Sequence, residues 1–259
     1  MRVAVFQFNC SDSISNNYEA IKKAIVSASE NKARLLVFQE CATCGYPPVE
    51  ISSIKNIDFE TLDLYLKEIK QLARKHDMYI ALGTIRKHNS KFYNSMLLID
   101  YKGEIIGNYD KRALWGWDLD NFERGENLGI YEIDGIRVGF RICFEVRFPE
   151  YFRELFKANV QLCFVSFCDV SEKENIERYN IIKSQLVTRA VENVMTVIAV
   201  NSISKYQTAP TAVFDLNGYL VSEAPKNQEY LLVYDYNNPT IDCGAKGRIF
   251  NSDILLTKF

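Results

Sequence analysis

Short apolar runs of Val, Ile, Leu, Phe and Tyr recur along the 259-residue chain, and in its first part they alternate with runs of helical period. That alternation constrains the fold more than any other feature. A strand-length apolar run needs cover on both faces, and an amphipathic helix supplies it on one. Residues 1–8 form a β-branched and aromatic run, after which Ile14, Tyr18, Ile21, Ile25 and Ala28 fall on one helical face. Residues 34–39 are a second apolar strand that ends at Glu40. A loop with Gly45, Pro47 and Pro48 then leads to a helix carrying Phe59, Leu62, Leu66, Ile69 and Ala73 on one side.

The middle of the chain is richer in strands, at 79–85, 93–99, 104–109, 130–133 and 136–143. Lys102-Gly103 and Asp134-Gly135 suit the tight turns between them, because such turns need a positive φ. Residues 145–158 read as helical, 160–167 as a buried strand, 174–193 as a long helix and 195–201 as a strand. Asn217-Gly218 turns a last hairpin, and 230–236 closes the core. Roughly twelve strands with four helices exceed what an open doubly wound sheet carries, and suit an α/β architecture of two packed sheets with outer helices. Without a linker-like, repetitive or low-complexity tract, 1–259 reads as a single domain.

Composition narrows the function. With 47% hydrophobic and 13% aromatic residues the chain can build its core without disulfides or a structural metal. The net charge of −2 is spread without a Lys/Arg stripe, which argues against nucleic acid as a partner. No apolar run approaches the ~18 residues that would span a membrane. The opening MRVAVFQFNC is too short for a signal-peptide core with a cleavage site and reads as a buried strand. Seven cysteines, an odd number without framework spacing, fit a reducing cytoplasm.

Three reactive groups stand at strand ends: Glu40 after RLLVFQ, Lys111 after EIIGNYD, and Cys143 at the end of IRVGFRIC. A carboxylate, an ammonium and a thiol supply a general base, an oxyanion stabiliser and a nucleophile. Taken singly, each has a plainer reading: a solvated strand end, a surface lysine and a small core cysteine.

The words around them decide between these readings. VFQECATCGYPP, GNYDKRALW, GFRICFEVRFPE and TRAVENVMTVIAVN resemble, in order, four segments of the nitrilase superfamily of carbon–nitrogen hydrolases, and the resemblance runs from the first strand to about Pro225. It implies a four-layer α-β-β-α sandwich that forms a homodimer or higher homo-oligomer. It also implies a catalytic set of Glu40 as base, Lys111 as oxyanion donor and Cys143 as nucleophile, with the backbone N–H of Phe144 as second oxyanion donor. The expected substrate is a small amide, cleaved through a thioester without metal or organic cofactor. An N-carbamoyl amine or amino-acid substrate is the alternative within enzymes, and a catalytically idle scaffold the alternative outside them; the intact Glu–Lys–Cys set argues against the scaffold.

Two departures from the family pattern stand out. The family carries a second glutamate downstream of the lysine, and here Asp118, Asp120, Glu123 and Glu126 fall in that window. Counting back from Gly125 selects Asp118, one methylene shorter. The family's Gly-x-Ser reads here as Ala209-Pro210-Thr211, a segment expected to line or brace the pocket. Arg147, four residues after the nucleophile, meets a substrate carboxylate in some branches; its structural alternative is an ion pair with Glu145 or Glu150. Cys41 and Cys44 form a CxxC pair, but a zinc site needs two further ligands, and His76 and His88 are the only histidines and are not a spaced pair. Glu192 and Asn193 read as structural, pinning a helix to the nucleophile strand, and Asn201 reads either way.

Overall fold

The structure, a computed structural model, describes residues 1–257. It opens with strand β1 (Arg2–Gln7), helix α1 (Ile14–Glu30), β2 (Leu35–Phe38), α2 (Phe59–Lys75), β3 (Tyr79–His88), β4 (Lys91–Ile99) and β5 (Ile105–Asp110). After the short helix α3 (Asp118–Asn121) come β6 (Ile130–Ile133), β7 (Ile136–Ile142), α4 (Pro149–Lys157), β8 (Leu162–Phe167), the two-residue β9 (Val170–Ser171) and α5 (Ile176–Asn193). The chain finishes with β10 (Thr196–Asn201), β11 (Tyr206–Gln207), β12 (Ala212–Phe214), β13 (Leu220–Glu223), β14 (Tyr230–Asp235) and α6 (Cys243–Leu256).

Helix starts follow capping chemistry. The side chains of Ser13, Asp58, Asn175 and Asp242 each accept a backbone N–H from the first turn of α1, α2, α5 and α6, satisfying donors that a helix leaves orphaned. Pro149 opens α4, where a missing N–H costs nothing.

Two six-stranded mixed sheets result, in the orders β14-β1-β2-β3-β4-β5 and β13-β12-β10-β8-β7-β6. Each has a parallel centre, β1-β2-β3 in one and β7-β8-β10 in the other, flanked by antiparallel strands. Side-chain alternation makes the layers. Val3, Val5 and Val37 face Phe140, Ile142, Phe164 and Ile198 of the other sheet. Ala4, Phe6, Leu36 and Phe38 point the opposite way onto Ile21, Ile25 and Ala73 of α1 and α2. Cys163, Val165 and Val197 likewise meet Phe152, Leu186 and Ala190 of α4 and α5. Period two along a strand thus yields the expected α-β-β-α order of layers.

Element boundaries follow the periodicity closely; the short helix α3 lies in a stretch that gave no expectation of a helix, and three further differences stand out. Cys143 lies one residue beyond β7 and opens a 3-10 turn over Cys143–Arg147. The ladder β9–β11 is too short to leave a periodic signature. Helix α6 follows the last strand, where its weak amphipathic pattern gave no expectation of a helix.

Candidate active site

The carboxyl ends of β2, β5, β7 and β8 meet at one edge of the sandwich, the place where parallel sheets present ligands. Just past β2 the chain turns sharply: Glu40 is fully buried and Cys41 takes φ +51°. This turn runs so close over β3 that a Cβ on Gly83 would lie 1.9 Å from the carbonyl oxygen of Gln39, so only glycine fits there.

Glu40 receives three hydrogen bonds from three directions. Lys111 Nζ and Asn94 Nδ2 donate to its Oε1 at 2.8 and 2.7 Å, and the backbone N–H of Cys168 donates to its Oε2 at 2.8 Å. Lys111 is 2% exposed. Its second partner is Asp118, whose Oδ2 accepts from Nζ at 2.8 Å. Asp118 is held in turn by Tyr46 OH at 2.7 Å and the backbone N–H of Trp115 at 3.2 Å. Among the four acids in that window only Asp118 is buried; Glu123 ion-pairs with Lys91 at the surface, and Asp120 and Glu126 are exposed. Although one methylene shorter than a glutamate, Asp118 still reaches Nζ with its carboxylate.

Burial by itself would strip the proton from Lys111, but the carboxylates of Glu40 and Asp118 outweigh it and hold the ammonium well above its ordinary pKa. Cys143 behaves in the opposite sense. Burial and the neighbouring Glu40 carboxylate push its thiol well above the usual range, against the pull of Lys111. The resting group is therefore a neutral thiol beside a carboxylate. Its backbone has φ +45°, a left-handed strand-to-helix turn that a non-glycine residue adopts only when its surroundings impose it. The next N–H, that of Phe144, lies in the first turn of the 3-10 helix, where amides lack a helical acceptor.

Glu145, fully buried, imposes that turn. Its carboxylate accepts from the Ile142 N–H at 2.7 Å, from the Arg112 N–H at 2.6 Å and from Tyr109 OH at 2.8 Å. It therefore ties the Cys143 turn to the loop that carries Lys111. Sequence reading placed Glu145 only as a partner for Arg147, yet its carboxylate is fully engaged elsewhere. Asn94 was not singled out either. An acid directly after a nucleophile segment, and an asparagine inside an apolar strand, were the available signals, and neither names a partner by itself.

A cavity of about 300 Å³ opens onto these groups. Its walls include Lys111, Cys143, Phe144, Arg147, Asp169 and Arg178. Arg147 is exposed with its guanidinium 5.6 Å from the Phe144 ring centroid, and among the described residues it forms no ion pair. Asn201 is a buried brace: its amide donates to the carbonyls of Asp169 and Ala209 at 2.8 Å and accepts the Asp169 N–H at 2.9 Å. Thr211 accepts the Asn201 N–H at 2.9 Å, so the 209–211 segment braces the wall from behind. Arg189 donates to the Val146 carbonyl at 3.0 Å and to Glu192 at 2.7 Å, and Arg153 to Asn193 at 2.9 Å, which fastens α5 to the Cys143 turn and to α4. Cys41 and Cys44 are buried free thiols, and His76 contacts Ser29. Among the described residues no cluster of three or more His, Cys, Asp and Glu is placed to hold a metal.

Comparison with known proteins decides the family. The model of the carbon–nitrogen hydrolase family matches residues 2–242. The chain belongs to that family. It is accordingly an enzyme of non-peptide carbon–nitrogen bonds. The 2-oxoglutaramate amidase of Bacillus subtilis is 30% identical over 188 residues, covering 71% of this chain and 70% of that one. The (R)-stereoselective amidase of a Pseudomonas species is 27% identical over 170 residues, 65% of this chain and 59% of its own. The amidase of Nesterenkonia sp. AN1 superposes over 100% of this chain and 98% of its own with a TM-score of 0.84 at 22% identity, which confirms the carbon–nitrogen hydrolase fold. In one structure of that amidase the acetamide moiety of fluoroacetamide is bound covalently at its active-site cysteine, and in another a variant holds butyramide.

Proposed function

We propose that this carbon–nitrogen hydrolase cleaves a small amide through a thioester on Cys143, and that its preferred substrate is an ω-amide ending in a carboxylate. The observation that carries the reading is the buried chain Asp118–Lys111–Glu40 with two 2.8 Å bonds at Nζ, adjoining a thiol that is neutral at rest. A neutral thiol needs a base in reach, and Glu40 is that base.

In the first half-reaction Glu40 takes the thiol proton as Sγ attacks the amide carbon. The carbonyl oxygen gains the negative charge, which Lys111 and the Phe144 N–H stabilise. Glu40 then hands the proton to the nitrogen as the carbon–nitrogen bond breaks, and ammonia or a small amine departs. In the second half Glu40 deprotonates water, which attacks the thioester; the carbon–sulfur bond breaks, the acid departs and Glu40 returns the proton to the Cys143 thiolate. Asp118 keeps Lys111 charged and aimed. Arg147, without an acid partner, supplies the cation for a substrate carboxylate; the kinship to a 2-oxoglutaramate amidase supports this.

Ammonia release from a panel of ω-amides, N-carbamoyl compounds and short aliphatic amides tests the reading. Turnover of the ω-amides, with loss in Cys143→Ala at unchanged circular dichroism, is expected. A Cys143→Ala enzyme that keeps substantial turnover rules out the nucleophile, and preferred turnover of N-carbamoyl compounds replaces the amide class.

We further infer one domain, since β1 pairs with β14 and both ends of the chain build one inner core. A homodimer is supported by apolar side chains left exposed on α5 and α6, Ile181 and Phe250 among them. A cytoplasmic location is supported by seven free thiols, and among the described residues no helix is long and apolar enough to cross a membrane.

A further inference from the structure

The cavity holds a second guanidinium. Arg178, in the first turn of α5, faces the same space as Cys143 and Arg147. Its inner edge is clamped: Nε and Nη2 donate to the two carboxylate oxygens of Asp169 at 2.8 and 2.7 Å. Asp169 is itself almost wholly buried and also accepts from the Thr208 hydroxyl, while its backbone is braced by Asn201. The outer edge is different. Nη1 has no protein acceptor among the described residues, and the Arg178 side chain is 44% exposed despite its two bonds.

An arginine held by one edge and open at the other is a preorganised donor. Its rotamer freedom is already lost in the free enzyme, so a ligand oxygen meeting the open edge does not have to restrain it. A planar guanidinium matches a carboxylate better than a neutral end group. Among the described residues Arg147 has only the Phe144 ring beside its guanidinium and no side-chain hydrogen bond or ion pair to fix it, which makes Arg178 the geometric reference of the pair. The cavity of about 300 Å³ lies at the small end of ligand pockets, which suits a short carbon chain with an amide at one end and a carboxylate at the other.

We propose that Arg178, held by Asp169, is a specificity-determining residue that binds the carboxylate of such an ω-amide together with Arg147. This rests on the amidase reading above and names the residue that selects the substrate's far end.

The test compares the monoamide of glutaric acid with pentanamide, a neutral amide of equal chain length, in wild type, Arg178→Gln and Arg178→Lys. The expected result is that wild type prefers the carboxylated amide. Arg178→Gln should then lose on the order of tenfold to a hundredfold in kcat/KM on that substrate, chiefly through KM, the usual cost of a charge-assisted hydrogen bond. Pentanamide should lose far less, and Arg178→Lys should recover only part of the preference. Equal losses on both amides would make Arg178 a brace for Asp169 and α5 and overturn the proposal, as would no loss on either. A readout without turnover separates this from the amidase reading: glutarate should protect Cys143 from iodoacetamide in wild type and at least tenfold less well in Arg178→Gln. Such a difference upholds the Arg178 site even in an enzyme that hydrolyses neither amide, an outcome that refutes the amidase reading alone. Equal protection in both proteins removes the Arg178 site even where turnover is intact.

Discussion

Lys111 is the residue on which the site's electrostatics turn. It opposes the two influences that keep the Cys143 thiol protonated, burial and Glu40. Replacing it with Met therefore raises the thiol pKa further, and alkylation of Cys143 by iodoacetamide at pH 8 should slow. Turnover should fall by about a hundredfold or more, the usual cost of losing an oxyanion donor; faster alkylation would refute the assigned polarity. Glu50 offers a second test at this scale. Burial raises its carboxyl from 4.5 to about 7, against hydrogen bonds from Ser202 at 2.5 Å and the Tyr46 N–H at 2.9 Å. Since the folded state holds this proton more tightly than the unfolded chain, its stabilising effect is present at low pH and lost as pH rises from 4.5 toward about 7. Denaturant midpoints at pH 5 and pH 8 should therefore differ less in Glu50→Gln than in wild type.

At the scale of elements, the site depends on two turns held by long-range contacts. In Gly83→Ala the new methyl meets the Gln39 carbonyl at 1.9 Å, and β3 or the Glu40 turn has to move. Overpacking of this kind costs roughly 1–3 kcal/mol. Melting should drop by several degrees, and kcat should fall by at least about tenfold, because an ångström at the proposed base Glu40 is costly. A full-activity variant would show that the turn tolerates displacement. Glu145→Gln is harsher than its size suggests. The Ile142, Arg112 and Tyr109 donors would meet an amide with one acceptor oxygen and an NH2 group that opposes a donor. Weakening charge-assisted hydrogen bonds and leaving a buried donor unpaired costs about 1–3 kcal/mol each, measurable as a shifted urea midpoint, and kcat should fall with it. Local sequence did not disclose either device. Helix periodicity and turn pairs are written within a few positions, whereas Gly83 and Glu145 act on segments dozens of residues away.

For the whole molecule, burial of thiols sets the response to alkali. Cys44 is pushed by burial to about 11 and Cys163 to about 12, with Cys10, Cys41 and Cys168 also raised. Above the ordinary thiol pKa of 9.0 the unfolded chain loses these protons and the folded one keeps them, so stability falls as pH rises. The urea midpoint should drop steeply between pH 8 and 10.5, and Cys163→Ala should make that drop shallower; a flat profile would contradict the burial of the thiols. The sequence by itself determined the alternation of strands and helices, hence two covered sheets, and the family words placed Glu40, Lys111 and Cys143 in it. Counting back from Gly125 singled out Asp118 among the nearby acids. Only the tertiary structure decided that Asp118 is the buried one, that Glu145 and Asn94 support the site, and that Arg178 shares the cavity with Arg147. The reason is physical. Periodicity reflects neighbours within a turn or a pleat, but Glu40 meets Lys111 from 71 residues away, once β2 and β5 share a sheet, and the Cys168 amide from 128, once the two sheets have packed face to face.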